Sequence, residues 1–412
     1  MKHSFKFYLL GGAFLLSLSM CLTSCEDVLG HWEKPTPKIP EFNVTSISLD
    51  KTSLVLYIDG GEKTATLTPT LVGDPGLHKV FFSSSHPWVA TVDEETGEVT
   101  AVDGGEATIT ASIGSQYVDC EVKVYHKKYD ISTGNAVIPP NERWEITGTS
   151  DTYKITIGDE ATAVLNGVKI TSTNGSCIET SGATGSNIIL VDGTTNTMDA
   201  TGDTNGSAAV NTAGGPLIIF GQTAGTGKLK AEGATGGAGI GSSKNSNGHD
   251  ITILGGEIIA KGGDNAAGIG AGYGEGAPSQ CGFINILGGN VTATGGEKAA
   301  GIGTGYANDN GNAKSFCGII KIYNSIVSVT ATMGTGATYP IGKGFADGSG
   351  TSSTNKIYFG FNEGADPGVD PVANVNGDYS PVPTDGATYG GLKFAISSKA
   401  LTGDTWTLTP AN

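Results

Sequence analysis

The sequence predicts an all-β protein in two parts, a small sandwich of antiparallel strands followed by a single-stranded parallel β-helix, or solenoid. Three observations predict it. Strand-length runs alternate apolar and polar residues over most of the chain, and no helical period of comparable length appears. Glycine supplies 65 of 412 residues, of which 11 lie in residues 1–130 and 54 in the rest, so it belongs to one region. Third, the nonamer AAGIGAGYG at 266–274 returns as AAGIGTGYA at 299–307, inside a longer repeat whose period lies in the solenoid range.

Composition narrows the function classes first. A chain of 412 residues can bury a sizeable core in two or three domains. Glycine follows no Gly-X-Y period, which excludes collagen. The formal charge of −16 repels phosphate backbones, so nucleic acid is not an expected partner.

Residues 1–24 read as a leader. Lys2 and Lys6 precede an apolar stretch, Phe7 to Met20, that is too short for an ordinary membrane span. Leu22-Thr23-Ser24-Cys25 then resembles a bacterial lipoprotein signal, which implies cleavage before Cys25 and acylation of its thiol. The alternative is a plain secretory signal in which Cys25 is incidental. Glu26 and Asp27 resemble the surface-export signal of Bacteroides-type lipoproteins. The expectation is an outer-membrane lipoprotein, exposed on the cell surface and held to the membrane by its lipid anchor alone. Loss of the leader would take the formal charge to −18, because Lys2 and Lys6 leave with it. Residues 25–42 form the acylated cysteine and a tether, and the prolines of GHWEKPTPKIPEF keep the tether extended.

Residues 43–125 carry the sandwich. Period-two runs such as SISLD, VATV, ATITA and CEVKV alternate with turn signals such as DGG, GDPG and ETG. The segments VTSISLDKTSLVL, FFSSSHPWVATVD and GEVTAVDGGEATITAS resemble bacterial immunoglobulin-like domains of the Big2 family. Phe82 stands where that family usually has tryptophan, which keeps an aromatic plug. The module reads as a spacer, with adhesion as the other reading.

Residues 131–360 carry the solenoid. Ile240, Ile269, Ile302 and Ile341 recur at intervals of 29, 33 and 39, with the strand pairs ITILGGEIIAKGG, INILGGNVTATGG and IKIYNSIVSVTAT between them. Alternation places Ile251, Ile253, Ile258 and Ala260 on one face, then Ile284, Ile286, Val291 and Ala293, then Ile320, Ile322, Val327 and Val329. Each coil therefore holds three short strands (ITIL, EIIAK and AGIG), with glycine at the corners. Worn coils are read upstream at 153–182 and 187–215, and a third opens at 216. The glycines are architectural. Gly270-Ala-Gly-Tyr-Gly opens no helix and lies in no βαβ unit, Gly225-Thr-Gly-Lys lacks the spacing of a phosphate loop, and GGAGIGSS has serine where a calcium nonapeptide needs aspartate.

The stretches VLNGVKITSTNGSCIE and IILVDGTTNTM and the AGIG and ITILGG repeats resemble bacterial right-handed β-helix proteins described as carbohydrate-binding-domain-containing, similar in fold to pectate lyases. That resemblance implies binding of acidic plant polysaccharide and of calcium. Ca2+ is thus the one ion expected, no cofactor is required, and no residue is assigned to a metal.

Candidate sites follow from the register. Tyr273, Tyr306 and Phe345 each stand four residues after a repeat isoleucine, with Lys244 in that place one coil earlier. Stacked at about 4.8 Å per coil, they form an aromatic row that suits the apolar faces of sugars or, alternatively, a packing ladder at a corner. Cys281 and Cys317 each stand three residues before a core isoleucine, so stacking brings them within disulfide range, the alternative being two buried thiols. Cys120 and Cys177 have no evident partner.

No catalytic residue is assigned. The only arginine, Arg143, is read as preceding the first coil. Lys154, Lys169, Lys261, Lys298, Lys321 and Lys343 are scattered, and Asp192, Asp199, Asp203, Asp264 and Asp309 share no wall. Residues 361–412 are assigned to a C-terminal cap. The chain therefore reads as a monomeric, non-catalytic surface lipoprotein that binds polysaccharide through the outer face of the β-helix. The alternatives are a structural or adhesive stalk contacting proteins or cells and, after that, a polysaccharide lyase or glycosidase.

Overall fold

Short strands with one buried face and glycine at their ends have one simple solution, stacking each coil on the next. A computed structural model describes residues 41–308, 312–361, 378–379, 382–399 and 403–411. Cys25, the leader and the tether to residue 40 lie outside the described residues, as does Asp309. The described chain is all β, with one 3-10 turn at Ile131–Thr133 and no α-helix.

Three parallel walls build the solenoid. Wall 1 runs from Arg143–Thr147 to Ile357–Phe361, wall 2 from Thr149–Ser150 to Ser328–Thr332, and wall 3 from Ala136–Ile138 to Ile341–Gly342. Like residues stack directly. Ile240, Ile269, Ile302 and Ile341 form one line, and Ile251, Ile284, Ile320 and Ile357 another. All eight are fully buried. Stacked isoleucines remove most of their apolar surface from water, each contributing about 1.5–3 kcal/mol, which a lone coil could not realise.

The structure corrects three expectations. Val327 is 68% exposed; the partners of Val291 and Ala293 are Val329 and Ala331, two residues later. The slip arises because the turn Asn324–Val327 is longer than the Gly-Gly corner it replaces. The coils also begin before residue 153, since Arg143–Thr147 already pairs in parallel with Thr162–Leu165. Lastly, the final coils have four walls rather than three. Pro278–Cys281, Lys314–Cys317 and Thr351–Thr354 form a separate parallel sheet, wall 4, between walls 3 and 1.

The sandwich buries its own core around Leu56, Leu67, Phe82, Val99 and Ile109. It is fused to the solenoid rather than strung to it. Gln116–Asp130, 15 residues long, pairs antiparallel with Gly105–Ile113 and parallel with Ser53–Asp59. Its last four residues then pair in parallel with Arg143–Thr147, so wall 1 continues into the sandwich as one sheet. Tyr57 and Tyr125 pack on Val164 across this junction, and the Tyr57 hydroxyl donates to the buried carboxylate of Glu145, which also accepts from Asn166.

At the other end, Leu392–Lys399 and Gly403–Pro410 form an antiparallel hairpin that pairs with Ser328–Thr332 and closes wall 2. Leu392, Phe394, Trp406 and Leu408 are buried over the end of the core together with Phe359 and Tyr379. An open solenoid end would leave unpaired strand edges and apolar surface, and this hairpin covers both.

Candidate functional site

The repeat that stacks the wall 3 isoleucines also stacks the residues after them. Isolated parallel bridges join Gly274 to Ala307 and Ala307 to Ala346, fixing the register one residue after each ring. Tyr273 and Tyr306 are stacked with centroids 5.2 Å apart and planes 11° apart; Tyr306 and Phe345 come next at 6.3 Å and 16°. Lys244, one coil earlier, places its ammonium 5.4 Å from the Tyr273 centroid, so a cation–π contact extends the row.

Stacking of this kind has a chemical consequence. Rings lying face to face cover one another's faces and turn their edges to solvent. Tyr306 is 8% exposed, its hydroxyl donates to Asp347, and the Lys298 ammonium sits 4.4 Å from its centroid and 3.6 Å from the Asp347 carboxylate. The middle of the row is therefore a packed ladder. Its last ring, Phe345, is 37% exposed.

Phe345 borders an open groove of about 860 Å³ between the wall 3 corner and the outer face of wall 4. Period two sets that outer face. Cys281 and Cys317 point inward, so Gln280, Phe316 and Ser353 stand outward in one line, with Pro278, Lys314 and Thr351 in the next. The groove thus gathers two phenyl rings (Phe316 and Phe345), two ammonium groups (Lys314 and Lys343), the Gln280 amide and the hydroxyls of Thr338, Thr351 and Ser353. Lys343 also pairs with Asp378 at 3.1 Å. Sequence reading placed Phe345, left Lys343 among scattered lysines, and missed Lys314, Phe316 and Gln280. The signal was available: the alternation of KSFC around the assigned Cys317 turns Phe316 outward.

Cys281 and Cys317 are direct partners on wall 4, with Cα atoms 4.8 Å apart, and form a disulfide. That separation is one parallel-strand step. Cys120 and Cys177 are buried free thiols, and burial pushes them up to about 11 and about 12 respectively, so neither is a nucleophile at neutral pH.

The carboxylates serve turns. Asp159 accepts from the Thr184 and Gly185 amides and the Thr184 hydroxyl of the next coil, and the Thr184 amide bond leads in holding it below the usual carboxylate range. Asp192 accepts from the Ala224, Thr226 and Gly227 amides, and these bonds together outweigh burial, so it too is lowered. Among the described residues no three of His, Cys, Asp and Glu gather as a cation site. Asp159 and Asp192 thus commit their carboxylates to backbone amides of the next coil rather than to a cation.

Residues 43–123 match the model of the bacterial Ig-like domain, group 2, and form such a domain. A search of curated proteins finds no match. Among solved structures, the chain is similar to a crystal structure of domains 4 and 5 of the S-layer protein SbsC, at 26% identity and a TM-score of 0.17. That likeness covers 20% of this chain and 52% of the other, so the chain spans about half of the structure it matches.

Proposed function

We propose that this protein is a non-catalytic surface lipoprotein that holds a polysaccharide in the groove between Phe316 and Phe345. The carrying observation is the lining of that groove: two phenyl rings, two ammonium groups, an amide and the hydroxyls of Thr338, Thr351 and Ser353, with Gln280, Lys314, Phe316, Thr351 and Ser353 held on the strands of wall 4. Rings grip the apolar faces of sugars, and the polar groups orient hydroxyl or carboxylate substituents. Among the described residues the groove's lining has no carboxylate of its own, which supports a binding reading over a hydrolytic one. The groove lies in the last coils, seven strand steps or about 34 Å from the first wall 3 strand, at the end away from the sandwich.

The test is retention of the full chain on immobilised polysaccharides, neutral and acidic. The expected result is retention of the wild type and at least a tenfold loss for Phe316→Ala and for Lys314→Ala, with unchanged melting. Equal retention by both variants would remove the reading.

A second reading, a structural or adhesive surface rod, is favoured by the sheet that runs unbroken from sandwich to solenoid through Gln116–Asp130. Such a joint resists bending. The group 2 Ig-like match supports this coarser reading as well, and the two are compatible.

A further inference from the structure

A second opening lies at the opposite end of the solenoid, where the sandwich folds over the outer face of wall 1. Register raises two outward columns there: Arg143, Thr162, Asn187 and Ile218 in one, Glu145, Val164, Ile189 and Phe220 in the other. Tyr57 and Tyr125 cover Val164. Beside that contact is a cleft of about 390 Å³, with Glu106 and Lys123 on the sandwich side and Arg143, Asn187, Ile189 and Phe220 on the solenoid side. It continues along the sandwich into a further hollow of about 290 Å³ that shares Glu106, Lys123 and Thr223.

Arg143 is the only arginine in the chain. Its guanidinium carbon lies 5.0 Å from the Tyr125 centroid, and its Nη2 is 3.6 Å from the Glu106 carboxylate, whose side chain is 62% exposed. Its Nε is buried and has no acceptor among the described residues. A buried donor left without an acceptor is costly, and beyond its hydrogen bond with the Tyr125 hydroxyl the planar fork makes only a long contact to an exposed carboxylate, so its Nε stays unused. Lys123 adds an ammonium and Asn187 an amide to the same cleft. Below them Ile189 and Phe220 make an apolar floor. Such donor surplus stands against the charge of a chain at −16. The site is also a domain interface, where ligand clefts concentrate, and its volume falls in the lower part of the usual range of about 300–1,000 Å³.

We infer that this cleft binds a monocarboxylate carried on a single ring, its carboxylate on Arg143, Lys123 and Asn187 and its ring on Phe220 and Ile189. The inference is independent of the polysaccharide groove. Glu106 is then a built-in competitor, an exposed carboxylate resting where the ligand's own would sit.

The test is saturation-transfer NMR on the full chain with benzoate, and benzyl alcohol as its neutral counterpart. Glucuronate against glucose runs in parallel to tell an aromatic ring from a sugar ring. The expected result is saturation of at least one of the two carboxylates and of neither neutral compound. Binding should weaken at least tenfold in Arg143→Gln and in Thr223→Trp, which fills the mouth from an exposed turn. It should tighten several-fold in Glu106→Gln, which frees Arg143. A purely architectural Arg143 predicts no such gain. If Arg143→Gln does not fold, the Glu106 and Thr223 variants decide alone. Equal signals from each carboxylate and its neutral counterpart, or no gain in Glu106→Gln, would overturn the inference.

Discussion

The first and last coils of the solenoid share an interior and differ at the corners. Successive wall 3 strands begin 19 and 23 residues apart at Ala136, Ile155 and Ile178, but 33 and 39 apart at Ile269, Ile302 and Ile341. Inside, both ends stack buried isoleucine. Outside, the early coils turn on aspartates capped by backbone amides, whereas the late coils insert a fourth wall, a disulfide, an aromatic ladder and a groove. The lesson is a division of labour. Inward residues hold the register, so the corners are free to lengthen, and the extra length builds the candidate binding surface.

The largest expected break in this comparison comes from backbone approach. Gly270 has φ +135°, and a Cβ there would meet the carbonyl oxygen of Gly303 in the next coil. Neither backbone can retreat without opening the core, so Gly270→Ala should cost about 3 kcal/mol or more in a denaturant titration. At the early turn, Gly193 has φ +73° with nothing within 4 Å, and the same change there should cost only the left-handed strain, about 1–2 kcal/mol. Equal losses would erase the distinction between packed and open corners.

Next is the late-coil staple. Replacing Cys281 and Cys317 together by alanine opens a link across 36 residues of chain, for an expected loss of about 2–4 kcal/mol. Hydrogen exchange should show the loosening in walls 3 and 4 of the last coils and not in the first. Uniform loosening would contradict a local staple.

The aromatic ladder separates packing from binding. Tyr306→Ala removes two stacked pairs and should lower stability by about 2 kcal/mol. Phe345→Ala removes one pair from the ladder's end, and should cost less than half of that while weakening polysaccharide retention. The reverse pattern would place the binding surface in the middle of the row.

The smallest effect concerns the early turns and pH. The folded carboxyl of Asp159 is held below its unfolded value, so it contributes stability that is present above the unfolded pKa of about 3.9 and lost as pH falls through the folded value. Melting between pH 5 and pH 2.5 should therefore fall less steeply for Asp159→Asn than for wild type. Identical slopes would show that the carboxylate carries no such linkage.

Much of the solenoid was legible because solenoid order is written as sequence period. Ile240, Ile269, Ile302 and Ile341 announce their own alignment, and the stacking of Tyr273, Tyr306 and Phe345 is found by counting from them. Wall 4 was not read from the sequence, although PSQC, KSFC and TSST share the serine that stacks as Ser279, Ser315 and Ser352, because four-residue strands with little else in common carry a weak periodic signal. Arg143 was misplaced for a related reason. RWEIT is followed by a single glycine, Gly148, rather than the Gly-Gly pair of the later coils, and its partner, Gln116–Asp130, looked like the end of a separate domain. The two-residue slip at Val327 came from a corner that grew without a glycine to mark it. What a sequence period cannot show is the path between the repeated points, and both candidate clefts lie on that path.

A parallel solenoid requires coils about 33 residues apart in sequence to lie one strand step apart in space. Oxidative cross-linking tests this directly. Lys261 and Thr294 are register partners on wall 2, and Thr332 is the partner of Thr294 one coil further on. Paired strands stand about 4.8 Å apart, whereas two steps, about 9.6 Å, exceed the reach of a disulfide. Lys261→Cys with Thr294→Cys should close a disulfide in the folded protein, and Lys261→Cys with Thr332→Cys should not. Closure of the second pair and not the first, or of both alike, would refute the coiled arrangement.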